Sequence, residues 1–333
     1  MIDVLFRADD GPGIGAGHVM RCLALAEAVR EGGGRAHLSA VRGSPLHGAW
    51  AAVGAEVWVD ERPAGGDADR DRTLDLARRL GTAWLVADSY AFEVPWLDRV
   101  AASASLLYLD DLGRRDAAAA IVLNQNAGAE QRYGQTYRRC RRALLGLPWF
   151  LLGSRWRNAL AAPQGKRLLV SLGGDDPTGC TGAVMAALLA DGRDFVADVV
   201  CGGPPERLAE ARKLAADHPE RFVVHRGPVN LAELAVNAAV AICGGGVTSV
   251  ELISLGIPAV VVILSEDQAG GAKSLAAAGA VVSLEGNELA RAAPEALNLL
   301  AAEPFRRPMA QAGRRLVDGG GARRVVAAME AGA

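Results

Sequence analysis

A histidine behind a run of glycines can do acid–base chemistry on a ligand that the backbone approaches closely. In the stretch DDGPGIGAGHVMRCLALAEAV, Gly11, Gly13, Gly15 and Gly17 precede His18, and an apolar, helix-forming run follows. Glycines let backbone N–H groups come close to a ligand, and a helix start adds partial positive charge suited to phosphate or a developing anion. A histidine there, with an ordinary pKa of about 6.5, can accept a proton near neutral pH. The spacing lacks the G-x-G-x-x-G form and the Walker Lys-Ser/Thr pair, so neither a standard dinucleotide site nor a P-loop is indicated. The plainer alternative is a tight strand-to-helix turn with His18 as a cap or packing residue.

A second stretch, AICGGGVTSVELISLGIPAVVVIL, places Gly244, Gly245 and Gly246 before a helix whose first turns carry Thr248, Ser249 and Glu251. Backbone N–H and hydroxyl donors suit a diphosphate, and a carboxylate one turn later suits two ribose hydroxyls. An ordinary Ser/Thr-capped helix with Glu in its first turn has the same pattern, and the residues leave both readings open. A third loop, SLGGDDPTGCTG, offers Gly173, Gly174 and a Thr178 cap, but Asp175 and Asp176 would repel a diphosphate; it is assigned to shaping a cleft. Asp88 and Tyr90 in VADSYAF, and Asp110 and Asp111 in YLDDLG, end strand-like runs. They fit polar groups that line a cleft or orient the histidine better than a metal pair, because no histidine cluster accompanies them. His37, His47, His218 and His225 read as structural or solvated.

These loops need a scaffold that delivers them to one place. The sequence repeats a short apolar run, a Gly or Asp break, and a longer Ala/Leu/Arg-rich stretch, which predicts β-α units and parallel sheets. Strands are predicted at IDVLFRA, RAHLSAV, AEVWVD, AWLVADS, SLLYLDD and AAIVLNQN, then at KRLLVSLGG, FVADVVCGG, RFVVHRG, VAICGGG, PAVVVIL and AVVSL. Between the two sets, RRCRRALLGLPWFLLGSRWRNALAAPQGK is basic and aromatic and breaks the rhythm, which predicts a boundary near Pro163 to Lys166. Two doubly wound domains, 1–162 and 166–333, would then face one another across a cleft, with ligands beyond the carboxyl ends of the strands.

Composition narrows the partners. The chain has 333 residues, half of them hydrophobic, and its 36 basic and 38 acidic side chains nearly cancel. That balance gives no electrostatic case for nucleic acid or an acidic membrane, and favours a small-molecule ligand. Five scattered cysteines without a C-x-x-C pair indicate neither a disulfide framework nor a zinc site. No apolar run reaches the roughly 20 residues of a membrane span, and no leader pattern precedes the first strand, so a cytoplasmic protein is expected.

The segments RADDGPGIGAGHVMRCLALAEAV, DSY, YLDDL, VLNQNAGAE, SLGGDDP and GGGVTSVELISLGIP together resemble the UDP-sugar hydrolases of pseudaminic acid biosynthesis and their relatives, the spore-coat polysaccharide glycosyltransferases. More distantly, both halves are similar to the glycosyltransferase that adds N-acetylglucosamine to lipid-linked muropeptide. The resemblance covers most of the chain and implies α/β GT-B architecture, two Rossmann-like domains with parallel sheets facing a central cleft. It also implies a UDP-sugar as substrate, no further cofactor and no metal. His18 would be the base. The Gly13 to Gly17 loop, with Gly15 and Gly17, would close over the sugar and diphosphate, and Asp88, Tyr90, Asp111, Asn126, Gly173 and Gly174 would line the sugar and acceptor side. Val229 would hold the nucleotide base, Gly245, Gly246, Val247, Thr248 and Ser249 the diphosphate, Glu251 the ribose, and Gln268 the sugar. The hydrolases' segment near LLGPxYALLRPEF reads LLGLPWFLLGSRW here, with Trp149, Phe150, Gly153, Arg155 and Trp156 as departures. Arg155 and Arg157 would suit an acidic donor such as UDP-glucuronate, or are surface charges. The expected activity is inverting, metal-independent transfer from a UDP-sugar to a small acceptor, for which a nucleobase such as cytosine would serve; the alternative is hydrolysis with water as nucleophile.

Overall fold

A computed structural model describes the chain apart from residues 12–15, 43, 45, 62, 160–164, 174–175, 177–178, 203–204, 227–228 and 333. Strands β1 (Asp3–Ala8), β2 (Arg35–Ala40), β3 (Glu56–Val59), β4 (Trp84–Asp88), β5 (Ser105–Leu109), β6 (Ile121–Asn124) and β7 (Arg142–Leu145) form one sheet in the order β3-β2-β1-β4-β5-β6-β7. A second sheet has the order β10-β9-β8-β11-β12-β13, from β8 (Arg167–Ser171), β9 (Ala197–Cys201), β10 (Phe222–Arg226), β11 (Ala238–Gly244), β12 (Ala259–Ile263) and β13 (Val281–Glu285). The recorded pairings are parallel throughout, for example Leu5 with Leu85 and Ile242 with Val260. Strands such as β4 and β12 are buried along their whole length because helices cover both faces, which is why they read as continuous apolar runs.

The strands lie where the apolar runs predicted them, with one addition. The basic, aromatic stretch that breaks the rhythm opens with β7, an edge strand whose Arg142 and Ala143 are exposed. Four residues with a half-exposed pattern carry too little apolar signal to be read as a strand.

In the first sheet, alternate residues serve two cores. Val4 and Phe6 of β1 pack with Leu25, Trp50 and Trp84 on one face, while Leu5 packs with Leu85, Phe92 and Leu106 on the other. Helix α1 (Gly17–Glu31) covers the first face and is buried on most sides. A second layer lies over it: the helix Gly321–Ala331 contributes Ala322, Val325, Val326 and Met329 to the same core. Each large apolar side chain buried there contributes about 1.5–3 kcal/mol. Gly321 permits this docking, since a Cβ at that position would stand 2.2 Å from the Phe150 carbonyl oxygen. Arg324 fastens the helix by donating to the Pro148 carbonyl at 2.8 Å.

The two compact units are therefore Met1–Ser154 with Gly319–Ala333, and Arg155–Asp318. This differs from division into 1–162 and 166–333 at both ends. Arg155 to Asn158 go with the second unit, and the last turns of chain return to the first because their apolar face is matched there. Both sheets reverse strand order between their first and fourth strands, at β1/β4 and β8/β11. Loops leave such a switch point in opposite directions and open a crevice beyond the strand ends, so the fold itself gathers the loops after β1 and β4 in one unit and those after β8 and β11 in the other. Among the described residues, no helix is long and apolar enough to cross a membrane.

Candidate active site

In the first unit, His18 is the second residue of α1 and is buried. The switch point brings it to the end of β4, where its Nδ1 lies 2.6 Å from Asp88 Oδ1. A carboxylate at that distance accepts a hydrogen bond from Nδ1–H, which leaves the lone pair on Nε2. Tyr90, half-exposed two residues after Asp88, meets the imidazole edge-on with ring centroids 4.6 Å apart.

Arg21 stands one turn along α1 and donates from Nε to Asp88 Oδ2 and from Nη2 to Asp88 Oδ1, each at 2.5 Å. Its Nη1 donates to Asp111 Oδ2 beyond β5, also at 2.5 Å. Burial opposes the charge on Asp88, yet Arg21 and His18 outweigh it and hold the carboxyl well below the usual carboxylate range. Burial likewise opposes the charge on Arg21, and Asp111 and Asp88 outweigh it. Cys22, pushed well up by burial and by Asp88, keeps its proton and directs it to Asp88 Oδ2 at 3.6 Å. Asn126 joins the group by donating from Nδ2 to the Asp111 carbonyl at 2.9 Å. Asp110 turns away from its neighbour and accepts from the Leu112 and Arg115 backbone N–H groups and the Tyr137 hydroxyl.

Thus His18, Asp88, Tyr90, Asp111 and Asn126 share one polar cluster, and the sequence reading did not include Arg21 or Cys22 in it. The available signal was spacing: positions 18, 21 and 22 share one face of a helix. Gly17 begins α1. Gly13, Gly15, Gly174, Asp175 and Thr178 lie outside the described residues.

In the second unit, Gly246 precedes the helix Val247–Ser254 after β11. Gly246 and Val247 are exposed and Thr248 is half-buried, so this helix start presents backbone N–H groups. Ser249 does not belong to that surface. It is 1% exposed and its hydroxyl donates to the Gly246 carbonyl at 2.7 Å, which closes the first turn. Gln268 Oε1 accepts from the Gly245 and Leu264 N–H groups, both at 3.1 Å, so Gln268 ties the ends of β11 and β12 together. Glycine at 245 leaves room for Gln268, since a Cβ there would crowd the Gln268 Cβ at 3.0 Å. Asp176 caps the helix Cys180–Asp191 by accepting from the Cys180 and Thr181 N–H groups, so its charge is turned onto the backbone. Gly173, at φ 112°, starts that loop, and Val229 is half-buried after β10.

Burial raises Glu251 to about 7, against the charge of Arg155 and a hydrogen bond with Trp156. The charge of Arg155 thus acts on Glu251 within the second unit. Because the folded protein binds the Glu251 proton more tightly than the unfolded chain, this group costs stability as pH rises from about 4.3 to 7.

No protein-family model matches the chain. Over 172 residues, half of this chain and half of the relative, it is 30% identical to the spore coat polysaccharide biosynthesis protein SpsG of Bacillus subtilis (strain 168). Among solved structures, MurG of Acinetobacter baumannii matches with TM-score 0.67 at 15% identity, covering 99% of this chain and 100% of that one. HepE of Anabaena in complex with UDP and glucose matches with TM-score 0.65 at 13% identity, again covering 99% and 100%. The similarity in sequence and the two six- and seven-stranded parallel sheets agree: the chain is an SpsG homologue over half its length, built on the GT-B fold of the glycosyltransferases.

Proposed function

We propose that this protein is an inverting, metal-independent glycosyltransferase that displaces UDP from a UDP-sugar with a small acceptor, His18 acting as general base. The observation that carries the reading is the 2.6 Å contact of His18 Nδ1 with Asp88 at the end of β4. It orients the ring and leaves Nε2 to take a proton. The nucleophile's lone pair forms the new bond at the anomeric carbon, its proton passes to Nε2, and the bond from the anomeric carbon to the diphosphate oxygen breaks. UDP leaves with that electron pair, and the N–H groups at the start of Val247–Ser254 in the second unit are donors of the kind that suit a diphosphate. One displacement inverts the anomeric centre, so a single base suffices where a carboxylate pair would be needed for retention. The similarity to SpsG, and the fold shared with HepE in complex with UDP and glucose, support the choice of donor.

Incubation with UDP-sugars, with and without acceptors, tests this by NMR of the products. The expected result is UDP release that depends on acceptor, with inversion at the anomeric carbon. Rapid release of free sugar without acceptor would establish the hydrolase instead, and tight binding without turnover would make the protein a nucleotide-sugar binder.

Glu251 supplies a second test. A carboxylate that accepts two ribose hydroxyls must be ionised, while the free protein holds it near 7. Affinity for a UDP-sugar should therefore improve about tenfold between pH 6 and pH 8, with proton release on binding at pH 6. Calorimetry in buffers of different ionisation enthalpy measures both, and Glu251→Gln should flatten the dependence. A pH-independent affinity in the unaltered protein would remove Glu251 from the ribose.

A further inference from the structure

Arg21 has no part in the displacement written above, yet the geometry around His18 runs through it. Its side chain is 6% exposed, and all three of its recorded ionic contacts go to carboxylates at the ends of β4 and β5. Asp88 Oδ1 is consequently shared, receiving His18 Nδ1 at 2.6 Å and Arg21 Nη2 at 2.5 Å, while Oδ2 is held by Arg21 Nε. Arg21 Nη2 also stands 3.1 Å from His18 Nδ1.

Two consequences follow from elementary electrostatics. A bidentate guanidinium fixes the plane of the carboxylate, so Asp88 presents one oxygen to the imidazole in one direction. A carboxylate shared with a cation also draws a proton onto the imidazole less strongly than an unshared one, because the cation opposes the charge that protonation creates. Asp111 works the other way, since it neutralises part of Arg21. Among the described residues, the Tyr90 ring also meets His18 edge-on and the Cys22 thiol lies beyond Asp88. The ionic balance at His18 is thus set by the chain Asp88, Arg21, Asp111.

We infer that Arg21 is a positioning residue that fixes the Asp88 carboxylate, and with it the Nε2-base tautomer of His18, and whose charge opposes a second positive charge on the ring, with Asp111 as the counterweight that limits this effect. The inference rests on His18 being the base of the proposed reaction.

The two members of the chain give opposite signs, which a merely structural role would not. In Arg21→Gln the full charge of Asp88 falls on His18, and its titration midpoint should rise by about one to two pH units. In Asp111→Asn more of the Arg21 charge reaches Asp88, and the midpoint should fall by about half a unit. The full-length protein labelled with 15N-histidine reads both midpoint and tautomer from the imidazole nitrogens, and the resonances missing in His18→Asn identify His18. Turnover at pH 7 should drop about tenfold in Arg21→Gln with the donor KM within about twofold, and the acidic limb of its pH profile should move up with the NMR midpoint. If Arg21→Gln fails to fold, Asp111→Asn alone decides, because its downward movement is not expected of a structural defect. Midpoints unchanged in both variants, or moving in the same direction, would overturn the inference. Full turnover by His18→Asn would instead sink the reading of His18 as base, and the titrations would still decide what Arg21 does to the ring.

Discussion

His18→Asn should lower turnover of a UDP-sugar about 10²- to 10⁴-fold and leave affinity for UDP within about twofold. The asparagine amide can still donate to Asp88, so the buried carboxylate keeps a partner where His18 now stands 2.6 Å away. What is lost is the lone pair on Nε2, and with it the group that takes the nucleophile's proton in the transition state. An interaction made only in the transition state lowers kcat without weakening ground-state binding, so the loss should appear in kcat. Asp88→Asn should act through the same step by a different route: its amide can donate to Nδ1, which drives the proton to Nε2 and presents the wrong tautomer. Steady-state kinetics with UDP binding measured in parallel decides the matter. An Asn variant that turns over at the unaltered rate would remove His18 from the chemistry, and a parallel loss of UDP affinity would make it a binding residue.

The largest expected effect on stability lies at a different set of charges. Arg7 on β1 is wholly buried, as is Asp69, and they meet at 2.9 Å; Asp9 completes the group at 2.6 Å. The guanidinium also stands over the Phe92 ring, 5.4 Å from its centroid. Arg72 gives Asp69 a second cation at 2.8 Å, and the Gly65 N–H donates to its other oxygen at 3.0 Å. Arg7→Met keeps the length of the side chain but leaves Asp69 and Asp9 buried with too little positive charge. Breaking such a pair costs about 3–5 kcal/mol, most of it the penalty of a charge that can neither be paired nor reach water. For a unit of this size the melting temperature should fall by about 10 °C. The second unit serves as control, since in calorimetry only the transition of Met1–Ser154 with Gly319–Ala333 should move. Arg7→Met with Asp69→Leu should recover part of the loss by removing the orphaned charge. A single variant as stable as the unaltered protein would show that the network contributes nothing net.

Much of the fold is legible in the amino-acid sequence. Runs such as WLVAD and AVVVI, buried on both faces, announce parallel strands because an interior strand has no polar side to alternate with. The edge strand Arg142–Leu145 escaped because only Leu144 in it is fully buried. The final helix was readable as a helix but not as part of the first unit, since which core takes its apolar face is a matter of shape matching between segments about 300 residues apart. At the candidate site, His18 and Asp88 were found by residue type at the ends of strands, whereas the inward turn of Ser249 and the capping by Asp176 depend on local rotamers and hydrogen bonds that residue type leaves open.

The amino-acid sequence by itself determined the elements and the inventory of reactive groups, because hydrophobic period and glycine placement act over a few residues. The tertiary structure alone decided the partnerships. Asp88 and Asp111 lie 67 and 90 residues from Arg21, and each has other polar neighbours along the chain. They converge on Arg21 because the sheet order places β1 beside β4 and β4 beside β5, bringing three strand ends to one edge. Burial there removes water as a competitor for the charges, and it is that loss of solvent, absent from any local pattern, that turns three scattered side chains into one ionic chain around His18.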